Sequence, residues 1–217
     1  IQKREEKLKR LVAKQTIDLQ EQTALFAYQA VHDQLTGLSN RRAFDEWCDN
    51  DFKKAQENSS PLSLAIIDID YFKAVNDTYS HIIGDQVIKA LAKILLELLP
   101  RCLQEVKLAR WGGEEFTLLI SANKEEAMIF CELIRTTIAE SDFSTIAPNL
   151  SLTISAGLTD NSALAEYNQM ISHADHALYY SKHNGRNQVR IYQANDHENN
   201  QKITQRITNV IRHKKRE

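Results

Sequence analysis

The chain has 217 residues, 42% hydrophobic and 26% charged, enough for one globular domain with a buried core plus additional helical segments. A formal net charge of -2 excludes a global basic field able to hold nucleic acid or an anionic membrane, so any anionic ligand must be bound locally. The three cysteines, Cys48, Cys102 and Cys131, are scattered without a Cys-x-x-Cys pair, which indicates neither a disulfide framework nor a zinc site and fits a reducing cytosol.

Residues 1–31 lack Pro and Gly and are rich in Lys, Glu, Gln, Leu and Ala, a composition that predicts one long helix. With Val12, Leu19 and Phe26 at position a of a heptad, Leu8, Gln15, Gln22 and Gln29 fall at d. An apolar seam broken by amide layers predicts a weak, switchable homodimeric stalk rather than a rigid one. No run approaches the roughly 20 apolar residues that span a bilayer, and the first ten residues are charged rather than signal-like. The expectation is a cytoplasmic domain, read as a fragment because no initiator Met is present, with membrane attachment upstream left open.

The helical periodicity breaks at Leu35-Thr36-Gly37-Leu38-Ser39-Asn40, where Ser39 or Asn40 can cap a helix running through Phe44, Trp47 and Phe52. After a loop at 58–61, the apolar, β-branched run 62–70 reads as a buried strand that ends in carboxylates. Asp70 is placed as the cap of a following helix that starts near Tyr71. Val87, Leu91, Ile94, Leu95 and Leu98 share one face of a helix over 83–99, which Pro100 stops. Strands at 106–111 and 116–121 are joined across Gly112-Gly113-Glu114-Glu115 as a tight hairpin. A helix over 124–141, a strand over 150–158, a helix over 164–183 and a strand over 188–193 complete the domain. Beyond it Ile203, Ile207, Val210 and Ile211 fit a short amphipathic helix. The expected organisation is a stalk (1–31), a globular domain (32–193) and a polar tail (194–217).

Asp68 and Asp70 are two apart on a strand and project to the same side, while the hairpin tip supplies Glu114 and Glu115. If the two strands are neighbours, carboxylates converge, and a divalent cation with oxygen ligands, most simply magnesium, relieves their repulsion. The helix end near Tyr71 offers unpaired N–H groups to phosphates. His173, His176 and His183 have helical spacing, but they are read as surface residues rather than as a zinc face.

Gly112-Gly113-Glu114-Glu115-Phe116 resembles the signature of the GGDEF family, in the variant with Glu third. The resemblance extends over about residues 32–193, through the blocks Asp33 to Arg42, Ile67 to Asp77, Gly84-Asp85, Ala174 to Tyr179 with Lys182, and Gly185-Arg186-Asn187. It implies an α+β, nucleotidyl-cyclase-like fold with a mainly antiparallel central sheet surrounded by helices, here preceded by the long N-terminal helix. It implies a diguanylate cyclase that condenses two GTP into cyclic di-GMP. A catalytically silent receptor or dimerisation module that binds GTP or an effector is the alternative.

Carried over by position, Asp68, the Ile69 carbonyl, Glu114 and Glu115 would hold Mg2+, with Mn2+ as an alternative ion, and Glu114 is the candidate base with Glu115 beside it. Asn76 and Asp85 would read guanine, with His81 bordering the substrate. The backbone N–H groups of Phe72 and Lys73, with the cations of Lys182 and Arg186, would hold the terminal phosphates. Each domain would bind one GTP, so two catalytic domains must meet transiently, brought together by the stalk. The family's Arg-x-x-Asp product-inhibition motif falls on Leu103-Gln104-Glu105-Val106 and is absent. Ser80 stands where the family usually has Gly, close to the guanine loop, and Ala156 replaces the usual Ile.

Overall fold

A computed structural model describes residues 2–194, so the helix expected near Ile203 to Ile211 lies outside the described residues. In chain order the elements are α1 (Gln2–Val31), β1 (Ser39–Asn40), α2 (Arg41–Asn58), β2 (Ser63–Ile69), α3 (Phe72–Tyr79) and α4 (His81–Leu98). They continue as β3 (Val106–Gly112), β4 (Glu115–Ile120), α5 (Lys124–Glu140), β5 (Ile154–Asp160), α6 (Tyr167–His183) and β6 (Val189–Ile191).

The six strands form one sheet in the order β1-β3-β4-β2-β5-β6. The three central pairings are antiparallel, whereas β1 on β3 and β6 on β5 are parallel edge additions. This is an α+β fold. The two-residue strand β1 had no periodic signal of its own.

Every residue of β2 is buried, and the pleat divides its side chains between two layers. Leu64 and Ile66 join Phe44, Cys48 and Phe52 of α2 and Met170, Ala174 and Leu178 of α6 in one cluster. Ala65, Ile67 and Ile69 join Val87, Leu91 and Leu95 of α4 and Phe130, Ile134 and Ile138 of α5 in the other. Complete burial of a Leu or Ile contributes about 2 kcal/mol, so a strand sandwiched between two helical layers is strongly pinned. The next even position on the α6 side is Asp68.

Close packing of α6 on β5 aims that helix at the site. A Cβ on Gly157 would lie 2.0 Å from the Ala174 carbonyl oxygen and 2.2 Å from the Leu178 nitrogen, so only glycine admits the helix there. Helix α6 begins at Tyr167 rather than Leu164, because Glu166 and Gln169 form a reciprocal capping box. Strand β5 likewise begins at Ile154 rather than Leu150.

Asn40 caps α2 by accepting from the Ala43 N–H at 3.1 Å, as its sequence position predicts. Asp70 does not cap α3: the N-cap is Tyr71, and no side chain bonds the helix end. His173 and His176 are half-buried rather than on the open surface, because His173 stacks on Tyr192 at 3.8 Å and His176 meets the edge of the same ring. Among the described residues no helix is long and apolar enough to cross a membrane.

Candidate active site at the C-terminal end of β2

The antiparallel register of β2 and β4 sets Asp68 directly opposite Glu115, and the β2–β5 register sets it opposite Ser155. Asp68 is only 4% exposed, and its Oδ2 lies 2.7 Å from the Lys182 ammonium on the last turn of α6. Burial pushes the Asp68 carboxyl up to about 6; Lys182 pulls it down, and the charges of Glu114 and Glu115 push it further up. Burial also raises Glu115, opposed by Lys182 and reinforced by Glu114 and Asp175.

Among the described residues no three His, Cys, Asp or Glu side chains are gathered closely enough to hold a metal ion as they stand. The expected convergence of Asp68, Glu114 and Glu115 is therefore looser than a closed ligand set. Lys182 supplies the positive charge that faces Asp68. The donor chemistry nonetheless suits a hard cation: buried Asp68 faces Glu115 across the ladder, and the charges of Glu114 and Glu115 push its carboxyl up, a repulsion that a cation relieves. Ile69, the last residue of β2, is buried beside Asp68.

Glu114 sits at the β3–β4 tip, where the pairing shifts register between Arg110 and Gly112 and Gly113 takes a φ of +54°. That left-handed conformation is why a glycine is needed at the turn. Arg110, which the motif reading passed over, fastens the tip: its Nε and Nη2 donate to the Gly113 carbonyl at 3.0 and 2.7 Å. Trp111 at the bulge carries the Arg41 guanidinium 4.3 Å over its ring, beside a cleft of about 400 Å³ between α2 and α6 that reaches Glu115.

The first N–H groups of α3 belong to Phe72 and Lys73, and with no side-chain cap at Tyr71 they are available to an acceptor outside the helix. The Phe72 side chain is buried, whereas Lys73 is exposed. Arg186 reaches this end from the turn after α6, its guanidinium 4.3 Å above the Tyr71 ring and 3.3 Å from the Tyr71 hydroxyl. Lys182 and Arg186 thus flank the end of β2 and the start of α3.

At the α3–α4 corner Asn76 packs against Gly84, the residue before Asp85. A Cβ on Gly84 would fall 2.0 Å from Asn76 Oδ1 and 3.1 Å from the Phe72 ring, so the missing side chain makes room for the amide. Asn76 Oδ1 is buried and accepts no hydrogen bond from the protein, which is costly unless a ligand donor completes it. Asp85 and His81 are exposed at the start of α4. Ser80, between the two helices, has a φ of 106°. Leu103 is 97% exposed and offers no charge to a ligand.

Residues 30–188 match the family model described as "Diguanylate cyclase, GGDEF domain". Diguanylate cyclase DgcP of Pseudomonas aeruginosa is 37% identical over 164 residues, covering 75% of this chain and 24% of DgcP. Diguanylate cyclase VdcA of Vibrio cholerae is 38% identical over 175 residues, covering 79% of this chain and 50% of VdcA. The chain therefore spans between a quarter and a half of the length of these relatives. The crystal structure of the coiled coil and GGDEF domain of DgcB from Caulobacter crescentus, in complex with c-di-GMP, superposes with a TM-score of 0.75 at 31% identity. That match covers 85% of this chain and 98% of the other.

Proposed function

The chain belongs to the GGDEF family of diguanylate cyclase domains, and on that premise we propose that it condenses two GTP molecules into cyclic di-GMP with release of pyrophosphate. The observation that carries this reading is the pairing of buried Asp68 with Glu115 across β2 and β4, with Glu114 at the adjoining tip and the α3 N-terminus beside them.

Cyclases of this family depend on a divalent metal, and here Asp68, the Ile69 carbonyl, Glu114 and Glu115 would hold it, with Mg2+ the ion proposed and Mn2+ an alternative. Such an ion supplies charge stabilisation at the reacting phosphate. The protein's own groups do the rest. The N–H groups of Phe72 and Lys73, with Lys182 and Arg186, hold the terminal phosphates and neutralise the leaving pyrophosphate. The buried Asn76 Oδ1 and the exposed Asp85 carboxylate both accept, matching the N1–H and N2–H donors of guanine, which adenine lacks in that pattern. His81 borders the base. Glu114 takes the proton of the attacking 3'-hydroxyl as it adds to the α-phosphorus of the second GTP.

Each domain carries one GTP, so two domains must face each other for either bond to form. The helical stalk 1–31 makes the chain a homodimer and keeps the catalytic domains (32–193) at high local concentration. With Leu103 and Val106 where a product-binding Arg and Asp would stand, the enzyme escapes feedback through that site.

The test is incubation of the purified chain with GTP and Mg2+, with ATP in a parallel reaction, followed by chromatography of the products. Cyclic di-GMP from GTP, nothing from ATP, and no product from Glu114→Gln are expected. GTP binding without turnover would make the domain a silent receptor instead.

A further inference from the structure

Asp70 is buried, at 4% exposure, where β2 turns towards α3. Its Oδ1 accepts from the Ser155 hydroxyl at 2.7 Å, and its Oδ2 accepts from the Thr153 hydroxyl at 2.7 Å and from the Asn187 backbone N–H at 2.9 Å. Its own N–H donates to the Thr153 carbonyl at 2.9 Å. A carboxylate surrounded by three donors is held in one orientation. The third donor belongs to the turn after α6, which leads from Lys182 through Arg186.

That turn has an unfavourable backbone. Gly185, Arg186 and Asn187 follow one another at φ values of 107°, 60° and 44°. Left-handed non-glycine residues persist only where their surroundings fix them. The Arg186 N–H donates to the Ser181 carbonyl at 3.1 Å, and Arg135 donates to Asn187 Oδ1 at 2.9 Å. Asp70 holds Asn187, and the next residue, Tyr71, itself at a φ of 56°, carries the Arg186 guanidinium on its ring. Two consecutive residues of one turn thereby grip two consecutive residues of the other.

We propose that Asp70 is a positioning residue: by anchoring the Asn187 N–H it fixes the Arg186 guanidinium beside the α3 N-terminus, facing the terminal phosphates of a nucleoside triphosphate. The proposal rests on the nucleotide reading above. A guanidinium on an unanchored turn would have to be ordered at each binding event, and Asp70 removes that cost in advance. The position requires a carboxylate. All three partners donate, and an amide at 70 would set its own N–H groups against that of Asn187 or against a hydroxyl forced to reverse.

The experiment compares wild type, Asp70→Asn, Arg186→Ala and the double variant by calorimetric binding of Mg-GTP and of GMP. Amide hydrogen exchange at residues 185–187 is followed in parallel. Asp70→Asn is expected to weaken GTP by about tenfold, the loss of roughly one well-placed charge-assisted hydrogen bond. It should change GMP by less than about twofold, cause no further loss in the Arg186→Ala background, and speed exchange at the Asn187 amide. Ser155→Ala, which removes one donor only, should give the same pattern at smaller amplitude and serves where Asp70→Asn does not fold. Equal losses for GTP and GMP, additive losses in the double variant, or unchanged exchange at Asn187 would overturn the positioning role alone. Absence of GTP binding by wild-type protein would overturn the nucleotide reading and this proposal with it.

Discussion

Arg110 holds Asp33 in a two-pronged ion pair, with Nη1 at 3.0 and 2.9 Å from the two carboxylate oxygens. The same guanidinium donates twice to the Gly113 carbonyl, so one side chain ties the foot of α1 to the hairpin tip that carries Glu114. Burial opposes ionisation of Asp33, but hydrogen bonds from Thr36 and Arg110 outweigh it and leave the carboxyl below its ordinary range. Arg110→Ala should therefore cost about 2 to 3 kcal/mol of stability, because it leaves a half-buried carboxylate without its cation. It should also lower kcat by about tenfold or more through a loosened tip, with GTP affinity changed by less than about threefold. Thermal melting and steady-state kinetics measure both. An unchanged kcat would show that the tip keeps its geometry without Arg110.

Ser80 joins α3 to α4 with φ 106° and ψ 161°, a region open almost only to glycine, while its N–H donates to the Asn76 carbonyl at 3.0 Å. Replacing it with glycine relieves strain in the folded state, offset in part by the greater freedom glycine has when unfolded. Ser80→Gly should raise stability by about 1 kcal/mol and the melting temperature by about 3 °C. A scanning-calorimetry midpoint at or below that of wild type would contradict the strain.

The acidic pair across β2 and β4 makes the nucleotide-free protein pH-sensitive. The Asp68 carboxyl, with an ordinary value of 3.8, is pushed to about 6 in the folded chain. Folding therefore favours its protonated form. The stabilisation is complete below about pH 4 and is lost as pH rises through about 6. Asp68→Asn should stabilise the free protein at pH 7 by about 1 to 3 kcal/mol and confer little at pH 4, while abolishing turnover. Lys182, with 31% of its side chain exposed, loses its partner but can turn to solvent. Urea midpoints of the two proteins at both pH values decide it; a variant less stable at pH 7 would mean that the ion pair outweighs burial.

The parts of this arrangement legible in the sequence are those fixed by local pattern. The apolar, β-branched run 62–70 reads as a buried strand ending in carboxylates, and Gly112-Gly113 reads as a hairpin turn with Glu114 and Glu115 at its tip. Asp70 was placed as a helix cap on a local rule, and the rule lost to three donors that arrive from Thr153, Ser155 and Asn187, far along the chain. Strand β5 starts at Ile154 because its partner β2 ends at Ile69, directly opposite, a limit set by pairing rather than by local pattern. Arg110 belongs to none of the motifs in the sequence. Its function depends on the bulge at Trp111 and on the spatial return of Asp33, which no spacing encodes.

The stalk is the part of the reading most open to direct test. Leu19 and Phe26 are 65% and 66% exposed on α1, at the predicted a positions one heptad apart. Large apolar side chains left in water along one line of a helix favour a second copy that covers them, and the gain grows with each heptad engaged. Asp at both positions would set like charges against each other across the seam and favour separate chains. Leu19→Asp with Phe26→Asp should halve the mass seen by sedimentation and lower specific activity by about tenfold at submicromolar protein, with GTP affinity within about twofold of wild type. Activity should recover as protein concentration rises, since two GTP-loaded domains can still meet by diffusion. Unaltered mass and activity in the double variant would show that the stalk does not govern the encounter.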